Sequence, residues 1–205
     1  MKSPPPLVFR NATLDDVSVV VDLVESAYRG KASRAGWTTE ADLLDGQRTD
    51  EIEIREIIGR THSRIRLAEQ SVVGVHHAKR DQTNALLTQD NAIKNSFIVA
   101  CVRIENAGDA GYIGMVSVRP TLQNAGVGRQ LLDEAERVIR DELHLPRARM
   151  TVIGQRGTLI AWYERRGYSL TGKREQFPYG QPRAGTPRRD DLYFEVLEKI
   201  LAPQK

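Results

Sequence analysis

The sequence predicts a single α/β domain, and three observations support this prediction. Short apolar runs typical of buried strands alternate with longer segments in which apolar residues recur at helical spacing. Glycine and proline punctuate the boundaries between these segments. A chain of 205 residues is long enough to bury a sizeable core but short for two domains. We therefore treat 1–205 as one domain.

The composition is typical of a soluble globular protein in a reducing compartment. Hydrophobic residues make up 40% of the chain and charged residues 28%, and no apolar run approaches the length of a membrane span. The single cysteine, Cys101, lies in an apolar run, so an intramolecular disulfide is excluded and a buried thiol is expected. Residues 1–6 lack the apolar region of a secretion signal and are expected to form a flexible tail. We expect a cytoplasmic protein that does not bind membranes.

The charge balance does not indicate a nucleic-acid-binding protein. The formal net charge is +3, which is a mild basic excess. The basic residues are spread along the chain, and no nucleic-acid recognition motif accompanies them. We therefore expect no nucleic acid among the partners.

Cap signals and apolar spacing define the elements of the N-terminal part. Thr13 precedes Asp16 by three residues, which is the capping pattern of a helix start. The glycines of 30–36 interrupt that helix. Charged residues punctuate the isoleucines of 50–58, which favours a helix over a strand. The predicted elements are, in chain order, a strand at 7–10, a helix ending at Tyr28, a helical turn at 38–44 and a helix at 50–58.

A long polar connection separates two strands in the middle of the chain. Alternation predicts a strand at 64–69, and a continuous apolar run predicts the next strand at 97–104. The connection between them, with a local helix at 85–92, contains the adjacent histidines His76 and His77. Adjacent side chains diverge on regular structure, and no nearby cysteine or carboxylate cluster completes a ligand set, so we predict no metal site.

Strands and helices alternate in the C-terminal half. A turn at 106–111 leads to a central strand that Pro120 ends, because proline cannot donate to a sheet ladder. Gly167 is expected to cap a helix. The predicted elements are a strand at 113–118, helices at 126–143 and 158–166 with a strand at 148–153 between them, and strands at 168–170 and 192–196, the last two joined by a Pro- and Gly-rich segment at 177–187.

A glycine-containing loop joins the central strand to the helix that follows it. Gln123 begins this loop, and Gly126 and Gly128 allow its backbone to approach a ligand closely. Unpaired N–H groups and the helix dipole make such a helix start a site for a phosphate or pyrophosphate. The loop lacks the third glycine of the dinucleotide fingerprint and the Gly-Lys-Ser/Thr of the Walker pattern.

This loop resembles the Q/R-x-x-G-x-G/A loop of the GNAT family, the GCN5-related N-acetyltransferases. Gln123, Gly126 and Gly128 match that loop, and Tyr163 with Gly167 and Tyr168 is similar to the family's Tyr-x-x-x-Gly-Phe/Tyr segment. The resemblance implies a mixed central β-sheet flanked by helices, with splayed central strands. It also implies that 71–95 is an insertion at the tip of a hairpin.

The resemblance implies an acetyl-CoA-dependent N-acetyltransferase. Acetyl-CoA would be the cosubstrate, and the acceptor would be a primary amine of a small molecule or a protein lysine. The alternative is a non-catalytic acyl-CoA-binding regulatory module, which would keep the glycine loop and dispense with the catalytic tyrosine. The sequence leaves the oligomeric state open, with a homodimer among the alternatives.

The same resemblance assigns the cofactor and catalytic residues. Tyr163 would donate a proton to the departing sulfur, or alternatively pack against the sheet. Arg156 stands where many members have an asparagine that contacts the cofactor, so we expect a charged contact there. The expected cofactor-binding residues are Val116, Ser117 and Val118 beside the pantetheine arm, then Gln123, Asn124, Ala125, Gly126, Val127, Gly128, Arg129 and Arg156.

In this family the acceptor is bound by the region between the first two helices and by the loop joining the last two strands. Trp37, Glu40 and Asp42 suggest an aromatic and acidic wall for a cationic amine, although Trp37 can equally anchor the core. The arginines of 177–189 are expected to form a solvated basic loop. The general base is not assigned, with Glu69, Glu105 and the histidines as candidates. The expected substrate-binding residues are Tyr28, Trp37, Glu40 and Tyr179.

Overall fold

A computed structural model describes residues 6–71 and 96–201 of the chain. Its helices are α1 (Val17–Tyr28), α2 (Gly30–Ser33), α3 (Glu51–Gly59), α4 (Val127–Arg137) and α5 (Gly157–Glu164). Its strands are β1 (Leu7–Asn11), β2 (Leu44–Asp45), β3 (Ser63–Ser71), β4 (Ser96–Asn106), β5 (Gly111–Val118), β6 (Arg147–Ile153), β7 (Ser169–Gln176), β8 (Thr186–Pro187) and β9 (Tyr193–Ile200). No helix among the described residues combines the length and the apolar character needed to cross a membrane.

Seven strands form one mixed sheet in the order β1-β3-β4-β5-β6-β9-β7. Neighbouring strands are antiparallel except β5 and β6, which are parallel. Strands β2 and β8 make a separate two-stranded ladder. The α/β fold with a mixed central sheet flanked by helices, expected from the sequence, is confirmed.

The two central strands β5 and β6 pair only at one end. Gly111 pairs with Ala148 and Tyr112 with Arg149, and no pairing follows along the rest of β5. A register irregularity interrupts the pairing of β5 with β4, and Met115 in that stretch has a φ of 54°. A non-glycine residue with positive φ marks a local distortion of the strand. The sheet therefore opens between β5 and β6.

The helices pack on both faces of the sheet. Adjacent residues of β3 belong to different core clusters, Leu67 to one and Ala68 to the other, as expected when successive side chains point to opposite faces. Helices α1 and α3 cover the face of Leu67, and α4 and α5 cover the face of Ala68. Cys101 is fully buried in the cluster with α1, and burial raises the pKa of its thiol to about 12.

Most elements expected from the sequence are present, and two of the expected helix-end signals are found. The Asp16 carboxylate accepts a hydrogen bond from the Thr13 backbone N–H at 2.8 Å, and Gly167 has a φ of 87° after α5. Strands β3 and β4 form the expected antiparallel hairpin, with Ser71 opposite Ser96. The expected helix at 85–92 and the pair His76 and His77 lie outside the described residues.

Three elements differ from the expectation for physical reasons. Residues 40–44 make one hydrogen-bonded turn, and the chain then enters β2, whose partner β8 lies far away in sequence. Strand β7 is longer than expected because pairing with β9 extends it through a charged stretch without an apolar pattern. Helix α4 continues through a π-helical turn at Val138–Glu142, which apolar spacing does not distinguish from α-helix.

Candidate active site

A cavity of about 300 Å³, here called the outer cavity, lies where β5 ends and α4 begins. Val116 and Val118 of β5, the loop before α4 and the aromatic face of α5 enclose it. Trp37 and Trp162 lie on its walls with ring centroids 6.2 Å apart. The loop before α4 thus forms part of the wall of a concave site.

The backbone of this loop takes a left-handed conformation at two positions beside the outer cavity. Asn124 and Gly126 have φ values of 67° and 82°, and Gly126 is the residue that caps α4. The first N–H groups of a helix have no intrahelical partner. Gly128 also lines the cavity, and a Cβ atom at this position would lie 3.6 Å from the Trp162 ring. The glycines therefore keep open a cradle that suits a phosphate group.

The charged side chains that line the outer cavity are all arginines. Arg129, Arg156 and Arg166 are the three, and no described carboxylate lies on this wall. Arg166 stacks over Trp162, with the guanidinium carbon 3.5 Å from the ring centroid, and donates a hydrogen bond to the Trp162 carbonyl at 2.8 Å. This charge, together with the N-terminus of α4, fits a ligand that carries several phosphates.

A second cavity of about 160 Å³, here called the inner cavity, occupies the opening between β5 and β6. Residues of both strands line it, including Tyr112 and Met150. Its other walls come from α1, α5, β9 and the segments before and after β2. The lining residues shared by the inner and outer cavities are Tyr28, Val116, Arg156, Leu159 and Tyr163. The two cavities therefore meet at these five residues.

Tyr163 lies at this junction with its hydroxyl uncommitted. Its side chain is buried, and its ring makes edge contacts with Trp162 and Tyr168 at centroid distances of 5.0 and 5.9 Å. The hydroxyl has no hydrogen-bond partner among the described residues. Burial raises the pKa of Tyr163 above its ordinary value, so the phenol keeps its proton at neutral pH.

Tyr28 joins α1 to the distorted part of β5. Its hydroxyl donates a hydrogen bond to the Val116 carbonyl at 3.1 Å, and burial raises its pKa to about 12. The guanidinium groups of Arg48 and Arg156 lie over its ring, 5.3 and 5.8 Å from the centroid. One hydrogen bond and two cation–π contacts therefore fix the side chain of Tyr28 at the junction of the cavities.

Glu40 and Arg156 form a buried ion pair beside the inner cavity. Arg156 donates to Glu40 Oε1 at 2.9 Å and to Thr38 Oγ1 at 2.8 Å, and Arg29 donates to Glu40 Oε2. Burial alone would raise the pKa of Glu40, but Arg156, Arg48 and Arg29 hold that pKa below its ordinary value. Glu40 therefore stays ionised and is a weak proton acceptor.

The structure gathers most of the residues expected from the sequence around the outer cavity. Its lining includes Tyr28, Trp37, Val116, Val118, Gln123, Asn124, Gly126, Gly128, Arg129, Arg156 and Tyr163. The side chain of Gln123 also makes a specific contact, since its Oε1 accepts a hydrogen bond from the Trp37 N–H at 2.9 Å. This bond ties the loop before α4 to the segment after α2.

Four expected residues have other surroundings. Ser117 is fully buried and donates to the Met115 carbonyl at 3.2 Å, and Val127 packs in the core beneath α4. Ala125 is exposed on the loop. Tyr179 lines neither cavity, and its hydroxyl accepts a hydrogen bond from the Leu192 N–H at 2.6 Å.

The structure does not bring Trp37, Glu40 and Asp42 together as one wall. Trp37 faces the outer cavity and Glu40 the inner one, whereas Asp42 is exposed and paired with Arg34. The carboxylate of Glu40 is already matched by arginines. An open acidic surface for a cationic amine is therefore absent from the described part of this region.

Sequence reasoning missed several lining residues, and only some of them carried a signal. Trp162 on α5 and Arg166 just after it are four residues apart, a spacing that places two side chains on the same side of a helical turn. Arg48 and Tyr112 carried no local signal, because their roles depend on contacts between distant segments. Gln123 matched a motif, but its bond to Trp37 was not predictable from it.

Among the described candidate bases, Glu69, Glu105, His62 and His144 line neither cavity, and His76 and His77 lie outside the described residues. Glu69 is paired with Arg10 at the outer part of the sheet, and Glu105 with Arg103 and His62. Glu40 is the carboxylate that lines the inner cavity within the described residues. No group of three potential metal ligands occurs in 6–71 and 96–201.

Comparisons with known proteins support the same fold. Residues 86–170 match the family described as Acetyltransferase (GNAT) domain. A chimera of spermidine N-acetyltransferase SpeG from Vibrio cholerae and hSSAT has a TM-score of 0.60 at 14% identity, covering 95% of each chain. The ribosomal-protein-S18-alanine N-acetyltransferase from Escherichia coli has a TM-score of 0.58 at 13% identity, covering 98% of this chain and 97% of that one. No curated protein matches the chain. The resemblance to the GNAT family expected from the sequence is confirmed.

Proposed function

We infer that this chain is an N-acetyltransferase of the GNAT type, because its residues 86–170 match that domain and its whole fold is that of solved N-acetyltransferases. We propose that it transfers an acetyl group from acetyl-CoA to a primary amine. The acceptor would be a small molecule or a protein lysine. The observation that carries this proposal is the meeting of two cavities at the uncommitted hydroxyl of Tyr163.

The outer cavity supplies what a coenzyme A derivative needs. The N–H groups that begin α4 would hold the pyrophosphate, and Arg129 and Arg166 would add positive charge. Strand β6 leaves β5 unpaired beyond Tyr112, so this edge would offer main-chain groups to the pantetheine arm beside Val116 and Val118, whose carbonyls already accept hydrogen bonds from Tyr28 and Gln123. A Cβ atom at Gly128 would narrow the same space. The residues present therefore fit the cosubstrate.

The inner cavity would hold the acceptor with its nitrogen directed at the junction. When bound, acetyl-CoA supplies a thioester whose C–S bond breaks as the new N–C bond forms. Tyr163 would give its proton to the departing sulfur and recover one released by the amine nitrogen. A phenol whose pKa is raised by burial is fully protonated before this step, as a general acid must be.

The experiment that tests this function follows coenzyme A release from acetyl-CoA with and without a panel of primary amines and lysine peptides. Release that depends on an amine, with the acetylated amine identified by mass, supports the enzyme. Calorimetry on the same sample measures acetyl-CoA binding independently. Tight binding with no turnover across the panel would contradict the enzyme and favour a binding module.

A further inference from the structure

The acceptor side of the site is rich in arginine. A third cavity of about 250 Å³, here called the side cavity, shares Glu40, Arg48, Ile153 and Phe194 with the inner cavity. Among the described residues, the charged ones that line the two are Arg29, Arg48, Arg156 and Arg183, against the single carboxylate of Glu40. A cationic acceptor would meet repulsion here, and an anionic group would meet attraction.

Internal ion pairs account for three of these arginines. Both oxygens of Glu40 are hydrogen-bonded, one to Arg29 and the other to Arg156. Arg183 is half exposed and contacts Glu56 at 3.1 Å. These guanidinium groups are therefore matched by carboxylates within the protein.

Arg48 is the exception in its hydrogen bonding, although its charge also acts on Glu40. Its backbone N–H donates to Glu25 Oε1 at 2.6 Å, but its guanidinium has no hydrogen bond or ion pair among the described residues. The guanidinium lies over the Tyr28 ring and lines both the inner and the side cavity. A half-buried guanidinium carries five N–H donors that need acceptors. A ligand carboxylate in the inner cavity could accept two of them as a bidentate pair.

The size of the inner cavity limits the acceptor. At about 160 Å³ it resembles an engineered cavity of about 150 Å³ that binds benzene. Met150, Val152 and Phe194 give it apolar lining. It suits a compact molecule with a short apolar part.

We propose that the acceptor is a small primary amine that carries a carboxylate, and that Arg48 binds this carboxylate. This inference rests on the proposed function and narrows its substrate class to molecules of amino-acid type. The neutral amine nitrogen forms the N–C bond, the thioester C–S bond breaks, and the amine's proton balances the one that Tyr163 gives to sulfur. The carboxylate takes no part in the bond changes and orients the amine.

The test compares matched triads of acceptors that differ only in the anion. Alanine, methionine and phenylalanine are each compared with the corresponding amide and with the amine that lacks the carboxyl group, alongside spermidine and a lysine peptide. In at least one triad, we expect kcat/KM for the amino acid to exceed that for the amide by about tenfold or more, the size of a charge-assisted hydrogen bond. We expect spermidine to be a poor acceptor.

Variants of Arg48 assign this preference to the guanidinium. In Arg48→Gln, kcat/KM for the preferred amino acid should fall by about tenfold to a hundredfold, while that for its amide changes by less than about threefold. Arg48→Lys keeps the positive charge but loses the two parallel N–H donors of the guanidinium, so it should retain part of the preference for the amino acid over its amide. Arg55→Gln, an exposed arginine paired with Glu51, is the matched control and should leave both values unchanged.

The outcomes separate this inference from the proposed function. Turnover of spermidine or the peptide in preference to every amino acid would overturn the carboxylate assignment and leave the acetyltransferase intact. An equal loss for the amino acid and its amide in Arg48→Gln would overturn the role of Arg48. Acetyl-CoA binding without turnover of any amine would overturn the proposed function and this inference with it. The ratio of kcat/KM between amino acid and amide in the wild type tests the carboxylate assignment even if a variant fails to fold.

Discussion

Two buried titratable side chains, Tyr163 and Glu40, face the inner cavity with pKa values displaced in opposite directions. Burial keeps the phenol of Tyr163 protonated, and three arginines keep Glu40 ionised. The first therefore suits proton donation, and the second suits a fixed charge that holds Arg156 between the cavities. These roles lead to different experiments.

Replacing Tyr163 with phenylalanine should separate catalysis from packing. Because the ring contacts remain and only the hydroxyl is lost, we expect kcat to fall by about a hundredfold with little change in Tm or in acetyl-CoA affinity. Tyr179→Phe is the control, because its hydroxyl is hydrogen-bonded outside both cavities and should cost about 1 kcal/mol of stability without changing kcat. An unchanged kcat in Tyr163→Phe, with chemistry rate-limiting, would exclude the general acid.

Glu40→Gln should destabilise the fold strongly. It leaves Arg29 and Arg156 buried without their charge partner, and removing one member of a buried pair costs about 3–5 kcal/mol. Urea unfolding measures this loss. Glu56→Gln removes a carboxylate from exposed pairs and should cost at most about 1 kcal/mol, so equal losses in the two variants would contradict the buried triad.

The pKa of Glu40 also predicts a dependence of stability on pH. Its pKa in the folded protein lies below the value of about 4.5 that applies when the chain is unfolded. The unfolded state therefore binds the proton first, so this stabilisation is complete above pH 4.5 and is lost as the pH falls through the folded pKa. Thermal melts between pH 3 and 7 should show a smaller loss on acidification in Glu40→Gln than in the wild type. Parallel curves would contradict this assignment.

The loop before α4 is the element whose substitution should affect cosubstrate binding. Gly126→Asp places a side chain and a negative charge where the backbone would meet a pyrophosphate, so we expect acetyl-CoA binding to be abolished. Gly108→Asp is a matched control, because Gly108 has a similar φ of 86°, against 82° for Gly126, on a turn away from both cavities. Both variants place a side chain at a positive φ, and calorimetry should show lost affinity in Gly126→Asp alone. Unchanged affinity in a folded Gly126→Asp protein would remove the cosubstrate assignment.

The elements show which features a sequence can predict. Caps and apolar spacing are local, so helices such as α1, α3 and α4 and the glycine loop were predictable from adjacent residues. The ladder of β2 with β8 and the bond between Arg156 and Glu40 join segments more than a hundred residues apart, and no local pattern encodes them. The motif indicated the cosubstrate side of the site, whereas the acceptor side depends on such distant contacts.

The molecule as a whole should tolerate removal of the segment between β3 and β4. Ser71 and Ser96 are opposite each other in the hairpin, so a short connection can join the two strands. We expect deletion of 75–91 to leave Tm within a few degrees and acetyl-CoA affinity within about threefold, because closing a shorter loop costs little. Failure to fold, with the full-length chain as control, would show that this segment contributes to the core.

Cys101 gives the molecule an internal reporter of its own opening. Its thiol is fully buried in the core that α1 covers, and its pKa of about 12 keeps it unreactive in the folded state. A thiol reagent can therefore modify it only during excursions that expose this core, so the labelling rate follows the free energy of unfolding. A ligand at a hundred times its Kd should slow labelling about a hundredfold. The wild-type chain thus permits ranking of cosubstrate and acceptor affinities from one reaction, without an attached probe and without turnover.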